Sequence, residues 1–389
     1  MKNIQLLLIS FIVFSGCNKS KEEAIQASQI DLKIETIGPK NGSLLIIGGG
    51  SDPLYAEFMK LAGGPDSPIV VIPTALSSDT LTEEFLVGYK KQFLNEGFTK
   101  ITVLHTRNPE VANTQEFIEP ILNAKGVWFS GGRQWRHADS YLNTKAHEAF
   151  KNLLHRGGVI AGSSAGATIQ GSYLARGDTK KNTIMMGDHE EGLGFLSNVS
   201  IDQHLFTRNR QFDMFEILDN RPELLGIGLD ENTGIIVQGD EFRVVGKSYV
   251  AIYDGTRWSQ ERDTIYQLPE GSREYYLLKA GNEYNLRKRK VITFDDREFI
   301  QLQEVQAQKY SGVYQLVDNS LRVEILIEND SVNMHQIWNG SKYPIIPESV
   351  TRLFIIDSEL YFEFDINESG DINSFTFSDD GSIWQKVKN

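Results

Sequence analysis

Between Ser43 and about Asp254, apolar strand-like runs alternate with amphipathic helix-like runs, and this alternation most restricts what the chain can fold into. The spacing predicts strands over residues 44–47, 69–72, 101–104, 127–129, 159–161, 226–229, 235–237 and 242–245. Between them it predicts helices over residues 53–62, 82–96, 115–124, 139–155 and 208–219. Strands separated by helices in this way build an α/β fold, a mostly parallel sheet sandwiched by helices. Ligands of such sheets sit beyond the carboxyl ends of the strands. Three segments fall there: Gly48-Gly49-Gly50, Ser130-Gly131-Gly132, and the turn that holds Ser164.

That turn is Gly162-Ser163-Ser164-Ala165-Gly166, set between the apolar run Gly158-Val159-Ile160-Ala161 and a stretch from Ala165 to Tyr173 that reads as a helix. Strand, tight G-x-S-x-G turn and helix together are the context of a nucleophile elbow. The elbow pushes a serine hydroxyl out at the sheet end, beside N–H groups whose partial positive charge stabilises an oxyanion. A glycine-rich connection without chemistry would show the same five letters, so the flanking elements carry the reading. Gly48-Gly49-Gly50 lacks the spacing of a dinucleotide loop, which needs another glycine where Pro53 stands, and no Walker lysine follows. A backbone surface close to the nucleophile is the better reading.

A serine nucleophile needs a base, and the base an orienting acid. Of seven histidines, His147 and His155 lie on an amphipathic helical stretch and read as surface residues, and His189 lies in a polar loop. His204 follows the strand-like Val199-Ser200-Ile201 and precedes a helical stretch, the position expected of a site residue. Acid candidates are Asp230 and Glu231, at the end of the apolar strand Gly226-Ile227-Gly228-Leu229. Consecutive strand residues face opposite ways, so one of the two faces the site, and the residues alone leave the choice open.

The chain ends read differently. Lys2, the apolar stretch from Leu6 to Phe14, and Ser15-Gly16 before Cys17 suit a secretory h-region followed by a bacterial lipobox. Residues 1–17 are therefore expected to be a lipoprotein signal, with Cys17 lipidated, and residues 18–40 a flexible tether. The protein is then exported and anchored to a bacterial membrane, on the periplasmic face or cell surface. Cys17 is the only cysteine, which leaves the folded part without a disulfide, a thiolate nucleophile or a cysteine-based metal site. A net charge of -13 argues against nucleic acid as a partner. Residues 41–293 form the main domain, and 275–278 and 283–286 flank a turn and read as a hairpin. Residues 294–309 connect to a small all-β accessory domain, 310–389, with no ionisable cluster suited to catalysis.

Taken together, these segments resemble the cyanophycinase and aspartyl dipeptidase family of serine peptidases, and its cyanophycinase branch most closely. The resemblance rests on Gly48-Gly49-Gly50, Gly131-Gly132-Arg133-Gln134, Gly162-Ser163-Ser164-Ala165-Gly166-Ala167, Asp202-Gln203-His204, Arg208-Asn209-Arg210 and Gly228-Leu229-Asp230-Glu231. Tyr276-Leu277-Leu278-Lys279-Ala280-Gly281 is similar to the family's terminal hairpin. The resemblance implies a flavodoxin-like fold related to class I glutamine amidotransferases. It implies Ser164 as nucleophile, His204 as general base and Glu231 as the acid that orients it. The Ala165 N–H and a glycine N–H, that of Gly132, would form the oxyanion hole. Gln134, Asp202, Arg208, Arg210 and Arg133 match positions associated with substrate binding. Arg133 stands where the family usually has Asn or Asp, and Asp213 where it usually has a third arginine. These two reversals of charge make an Asp-containing or β-linked peptide a safer expectation than cyanophycin itself.

The implied chemistry is acyl transfer from an amide through an acyl-enzyme, and it needs no metal or organic cofactor. The expected partners are a small or poly-aspartate-type peptide and membrane lipid through Cys17, with a homodimer left open. A different class of function competes with this reading: a non-catalytic lipoprotein using the same cleft to bind peptide or glycan. Another amide hydrolase or acyl transferase on the same scaffold is a third.

Overall fold

A computed structural model describes residues 36–387 apart from residues 78, 260–268, 270, 318, 329–330 and 368. The signal segment with Cys17, and tether residues 18–35, lie outside the described residues.

Ser43–Ile47 (β1) is buried along its whole length, as an apolar strand covered on both faces must be. Ile69–Ile72 (β2), Ile101–Val103 (β3), Gly126–Phe129 (β4) and Val159–Ser163 (β5) join it in parallel, in the order β3-β2-β4-β5-β1. The chain then starts a second sheet with Gly171–Tyr173 (β6), Leu196–Gln203 (β7) and Leu225–Leu229 (β8), also parallel. Thr233–Gln238 (β9) and Glu241–Gly246 (β10) return to the first sheet and extend it antiparallel beyond β1. Tyr249–Tyr253 (β11) and Tyr276–Lys279 (β12) complete the second sheet, and Glu283–Asn285 (β13) and Lys290–Ile292 (β14) complete the first. The parallel core is thus five strands of a nine-stranded sheet that packs against a five-stranded one.

Strand alternation separates the two faces of the first sheet. Leu45, Ile47, Trp128, Val159 and Ala161 pack with Tyr55 and Phe58 of helix Tyr55–Leu61 and with Phe93 of helix Glu83–Asn95. Leu44, Ile46, Val127, Phe129 and Ile160 face Phe150 of helix Lys145–His155 together with Val199 and Ile227 of the second sheet.

Three helix expectations are corrected. The stretch 139–155 is two helices, Trp135–Tyr141 and Lys145–His155, parted where Asn143 takes a positive φ of 58° and the Thr144 side chain caps the second by accepting from His147 N. The stretch 208–219 yields only Met214–Asn220, because Asn209 turns left-handed before it. The stretch 165–173 stops being helical at Thr168, and Gly171 begins β6. A Cβ at Gly171 would press on the carbonyl of Val199, so the close strand approach there needs glycine.

The expected hairpin near residue 280 is corrected too. β12 pairs with β11 in one sheet, and β13 pairs with β10 and β14 in the other. The turn at Gly281 (φ 89°) carries the chain from sheet to sheet, pinned when Gly281 N donates to Val244 O and Val244 N to Asn282 O.

The C-terminal β segment is a closed eight-stranded barrel running from Gly312–Leu316 to Ile383–Lys386, whose first and last strands pair with each other. Residues between the sheets and the barrel form its joint: Phe294 and Phe299 pack on Phe354, and Arg297 binds both Glu283 of β13 and Glu348 at 2.8 Å. Arg352 of the barrel reaches Glu283 at 2.7 Å.

Candidate active site

The topology places the glycine-rich turns side by side. β4, β5 and β1 are consecutive neighbours, so Gly131-Gly132, Ser164 and Gly48-Gly49-Gly50 emerge together at one sheet end. In the second sheet Gln203 of β7 is in register with Leu229 of β8, and the residues that follow, His204 and Asp230-Glu231, leave as a pair.

Ser164 has φ 58° and ψ -114°, a strained backbone that a turn must enforce. Its N–H donates to Ile47 O at 2.9 Å, tying the turn to β1. Added side-chain carbons at Gly162 and Gly166 would strike the backbone of Gly166 and Phe129 respectively, so the elbow closes only with glycine at these positions. His204 also has a positive φ, 54°, and its N–H donates to Gly48 O at 2.9 Å. The three side chains then meet in a line. Ser164 Oγ lies 2.8 Å from His204 Nε2, and His204 Nδ1 lies 2.5 Å from Glu231 Oε1.

Asp230 takes a different part. Its Oδ1 accepts from Phe206 N, Thr207 N and Thr207 Oγ1, each at 3.0 Å, and its Oδ2 accepts from Ser248 Oγ at 2.7 Å. It holds the loop after His204 and has no bond to the imidazole. Burial works to raise its pKa, and the hydrogen bonds from Thr207 and Ser248 outweigh that and lower it. Burial also pushes the His204 pKa below its ordinary value; the Glu231 bond opposes this and the charge of Arg208 adds to it. The imidazole is therefore neutral at neutral pH, the form that accepts a proton from a hydroxyl.

Gly131 lies against Ser164, since a Cβ there would come within 3.3 Å of Ser164 Cβ and 3.7 Å of its Oγ. Gly132 (φ 137°) leaves no room for a side chain over the Ala75 carbonyl. Ala165 is the first residue of helix Ala165–Thr168, a position whose N–H has no partner within the helix. A carbonyl carbon at Ser164 would thus have its oxygen between the Gly131-Gly132 peptide and Ala165.

The polar residues nearby divide into buried supports and exposed groups. Asp202 is fully buried with both oxygens bound to Arg176, Oδ1 to Nε and Oδ2 to Nη2, each at 2.8 Å. Gln134 is fully buried and donates to Ala175 O at 2.7 Å. Solvent reaches neither side chain; Asp202 is engaged by Arg176, whereas Gln134 Oε1 is buried with no hydrogen-bond partner among the described residues. Arg133 binds the Asp178 carbonyl. Arg210 is nearly buried, held by Gln203 O at 3.0 Å and Gln203 Oε1 at 3.2 Å, and burial pushes its pKa down to about 10. Arg208 is exposed. Asp213 binds Arg176 at 2.6 Å, so the reversed charges at 133 and 213 do not meet each other.

Arg176 carried no signal in the sequence, standing outside every motif, yet it is 2% exposed and neutralised by two carboxylates. His147, read as a surface residue, is buried instead, with Nε2 bonded to Leu193 O at 2.7 Å. His189 sits between Asp188 and Asp139, at 2.8 and 2.7 Å, and has no bond to the Ser164 line.

The sequence model of peptidase family S51 matches residues 44–245, a span that holds Ser164, His204 and Glu231. A cyanophycinase of Geminocystis herdmanii is 31% identical over 226 residues, covering 56% of this chain and 82% of the relative. A cyanophycinase of Trichormus variabilis is 27% identical over 291 residues, covering 69% and 93%. A crystal structure of a peptidase from an acI-B1 Actinobacterium aligns with 26% identity and a TM-score of 0.49, over 64% of this chain and 98% of that one.

Proposed function

This chain belongs to peptidase family S51 and is a serine-type peptidase, and on that premise we propose that it hydrolyses an amide bond in an Asp-containing or β-linked peptide, cyanophycin-like or isoaspartyl, through Ser164, His204 and Glu231. His204 Nε2 takes the Ser164 proton as Oγ attacks the carbonyl carbon. Glu231 accepts the Nδ1–H, fixes that tautomer and offsets the imidazolium charge. The N–H groups of Ala165 and Gly132 hold the oxyanion. His204 then protonates the leaving nitrogen and the C–N bond breaks. Water, deprotonated by the same imidazole, releases the acyl group from Ser164. The observation that carries this reading is the unbroken line of 2.8 and 2.5 Å contacts from Ser164 through His204 to Glu231.

Both named relatives are cyanophycinases, which supports a cyanophycin-like peptide as the substrate class. With Asp213 bound to Arg176, the grip on a substrate carboxylate falls to Arg208 and Arg210, which favours a short peptide with one carboxylate near the scissile bond. The test is hydrolysis of cyanophycin, β-Asp-Arg polymer, α-Asp-Xaa and isoaspartyl dipeptides by the chain lacking residues up to 17, with Ser164→Ala alongside. Cleavage that vanishes in Ser164→Ala supports the reading. No cleavage, together with no fluorophosphonate labelling of Ser164, replaces it with a binding protein. We propose further that Cys17 carries a lipid anchor, as the apolar stretch and small residues before it suggest. Radiolabelled fatty acid should enter the wild type and be absent from Cys17→Ala; label in both would sink this.

A further inference from the structure

On the face of the first sheet turned away from the second sheet and His204, an open cleft of about 710 Å³ begins at the Ser164 turn. Its inner end is formed by Gly131 and Ser163. Ser163 shares the face of Val159 and Ala161 by strand alternation, so the cleft runs out over helix Glu83–Asn95. Phe85, Gly88, Tyr89 and Gln92 line it from that helix, spaced as one stripe of a helix surface. Tyr55 and Trp128 form part of the facing wall.

Two features distinguish this space from loose packing. The aromatic stripe of the helix looks onto the opening: the Phe85 and Tyr89 rings stack at 5.6 Å and 17°, while only Phe93 of the helix is buried. Gly88 sits in the helix interior, where glycine weakens a helix relative to alanine. A Cβ there would meet nothing within 4 Å, so neither packing nor backbone conformation asks for glycine. What its absent side chain provides is room in the cleft.

We propose that the cleft is a subsite for an uncharged aromatic side chain of the peptide substrate. It takes the arm of the substrate opposite to the one that faces Arg208 and Arg210. Aromatic rings gain from offset and edge-on contact with the rings that wall the space. Among the described lining residues the one charged side chain is Glu96, at the outer end of the same helical stripe, and it opposes an acidic arm. The proposal rests on the Ser164 reading above.

The test measures kcat/KM for isoaspartyl-phenylalanine, isoaspartyl-alanine and isoaspartyl-glutamate, using the ratio between substrates so that the amount of active enzyme cancels. The wild type should favour the phenylalanine peptide over the alanine peptide by roughly ten-fold or more, with glutamate poorest. Gly88→Leu fills the cleft while improving helix propensity, and should bring the Phe/Ala ratio close to one; Gly88→Ala should lower it less. Equal rates in the wild type, a preference for glutamate, or a ratio unchanged in Gly88→Leu would overturn the subsite. Fluorophosphonate labelling separates the two levels. A labelled Ser164 with a ratio of one removes only the subsite, whereas no labelling and no cleavage of any peptide removes the peptidase reading and the subsite with it.

Discussion

Gly49 is the floor on which the His204 imidazole rests. A Cβ at Gly49 would come within 2.6 Å of Nδ1 and 2.9 Å of Nε2, and its φ of 123° is one that other residues avoid. The glycine triplet therefore serves as a seat: Gly48 O accepts from His204 N at 2.9 Å, and Gly49 O accepts from Asn232 N at 2.8 Å, beside Glu231. Gly49→Ala should displace the ring from Ser164. A shift near 1 Å costs about a hundred-fold in rate, so kcat should fall by that order while the fold survives, as thermal melting would show. Near-normal kcat in a folded variant would contradict the seating role.

The acid side of the pH profile should report His204. Burial lowers its pKa, and the proton-accepting form is the neutral one. Activity should therefore rise with pH to a midpoint below 6.5, the ordinary histidine value, and stay flat through neutrality. Arg208 contributes to the lowering by its charge, so Arg208→Gln should move the midpoint of kcat/KM upward. A downward or absent shift would mean that the guanidinium does not act on the imidazole.

Two adjacent carboxylates should fail in different ways. Glu231→Gln removes the negative charge that offsets the imidazolium and puts an N–H donor beside Nδ1 that favours the wrong tautomer, so kcat should drop by roughly two to four orders of magnitude with melting nearly unchanged. Asp230→Asn weakens a carboxylate that accepts from Phe206, Thr207 and Ser248, and should cost roughly 1–3 kcal/mol of stability. Urea unfolding and single-turnover kinetics on both variants separate the cases; the opposite pattern would exchange their roles.

Acid should loosen the protein at His137, behind the oxyanion loop. This residue is fully buried against Phe129 and Tyr141, its Nε2–H bonded to Ser130 O at 3.2 Å, and burial pushes its pKa down to about 4. Unfolded, it takes a proton near 6.5, so between 6.5 and 4 the unfolded state holds more protons and stability falls as pH falls. The loss levels off below pH 4 at roughly 3 kcal/mol. His137→Phe should be less stable than wild type at pH 8, yet lose less on acidification. An equally steep loss in the variant would assign acid sensitivity elsewhere.

The inner strands of the parallel core were legible because they are buried on both faces and so leave unbroken apolar runs, as in Ser43–Ile47, Ile69–Ile72 and Gly126–Phe129, whereas the edge strand Ile101–Val103 exposes Thr102. Breaks set by one residue were not: Asn143 and Asn209 interrupt helical periodicity by turning left-handed, which composition does not announce. Strand partners were also hidden. β12 and β13 look like a hairpin because the local turn chemistry fits one, while the edges that capture them, β11 and β10, lie distant in sequence. At the site, the residue types that meet at Ser164 could be named in advance, whereas the choice between Asp230 and Glu231 depends on which way each points once β8 ends. Arg176 was out of reach altogether, since its role follows from the burial of Asp202 beneath it and from no pattern of its own.

The joint between sheets and barrel bears on whether the two parts are separable. Glu283 belongs to β13, keeps only 14% of its side chain exposed, and has Arg297 and Arg352 as its cations, one from the connecting segment and one from the barrel. A chain trimmed before residue 294 would retain that carboxylate, open it to water, and lose both guanidinium groups together with the packing of Phe294 and Phe299 on Phe354. The barrel is therefore less an ornament added to a finished enzyme than a counterweight: among the described residues, the cations paired with Glu283 of β13 come from the barrel and its connector.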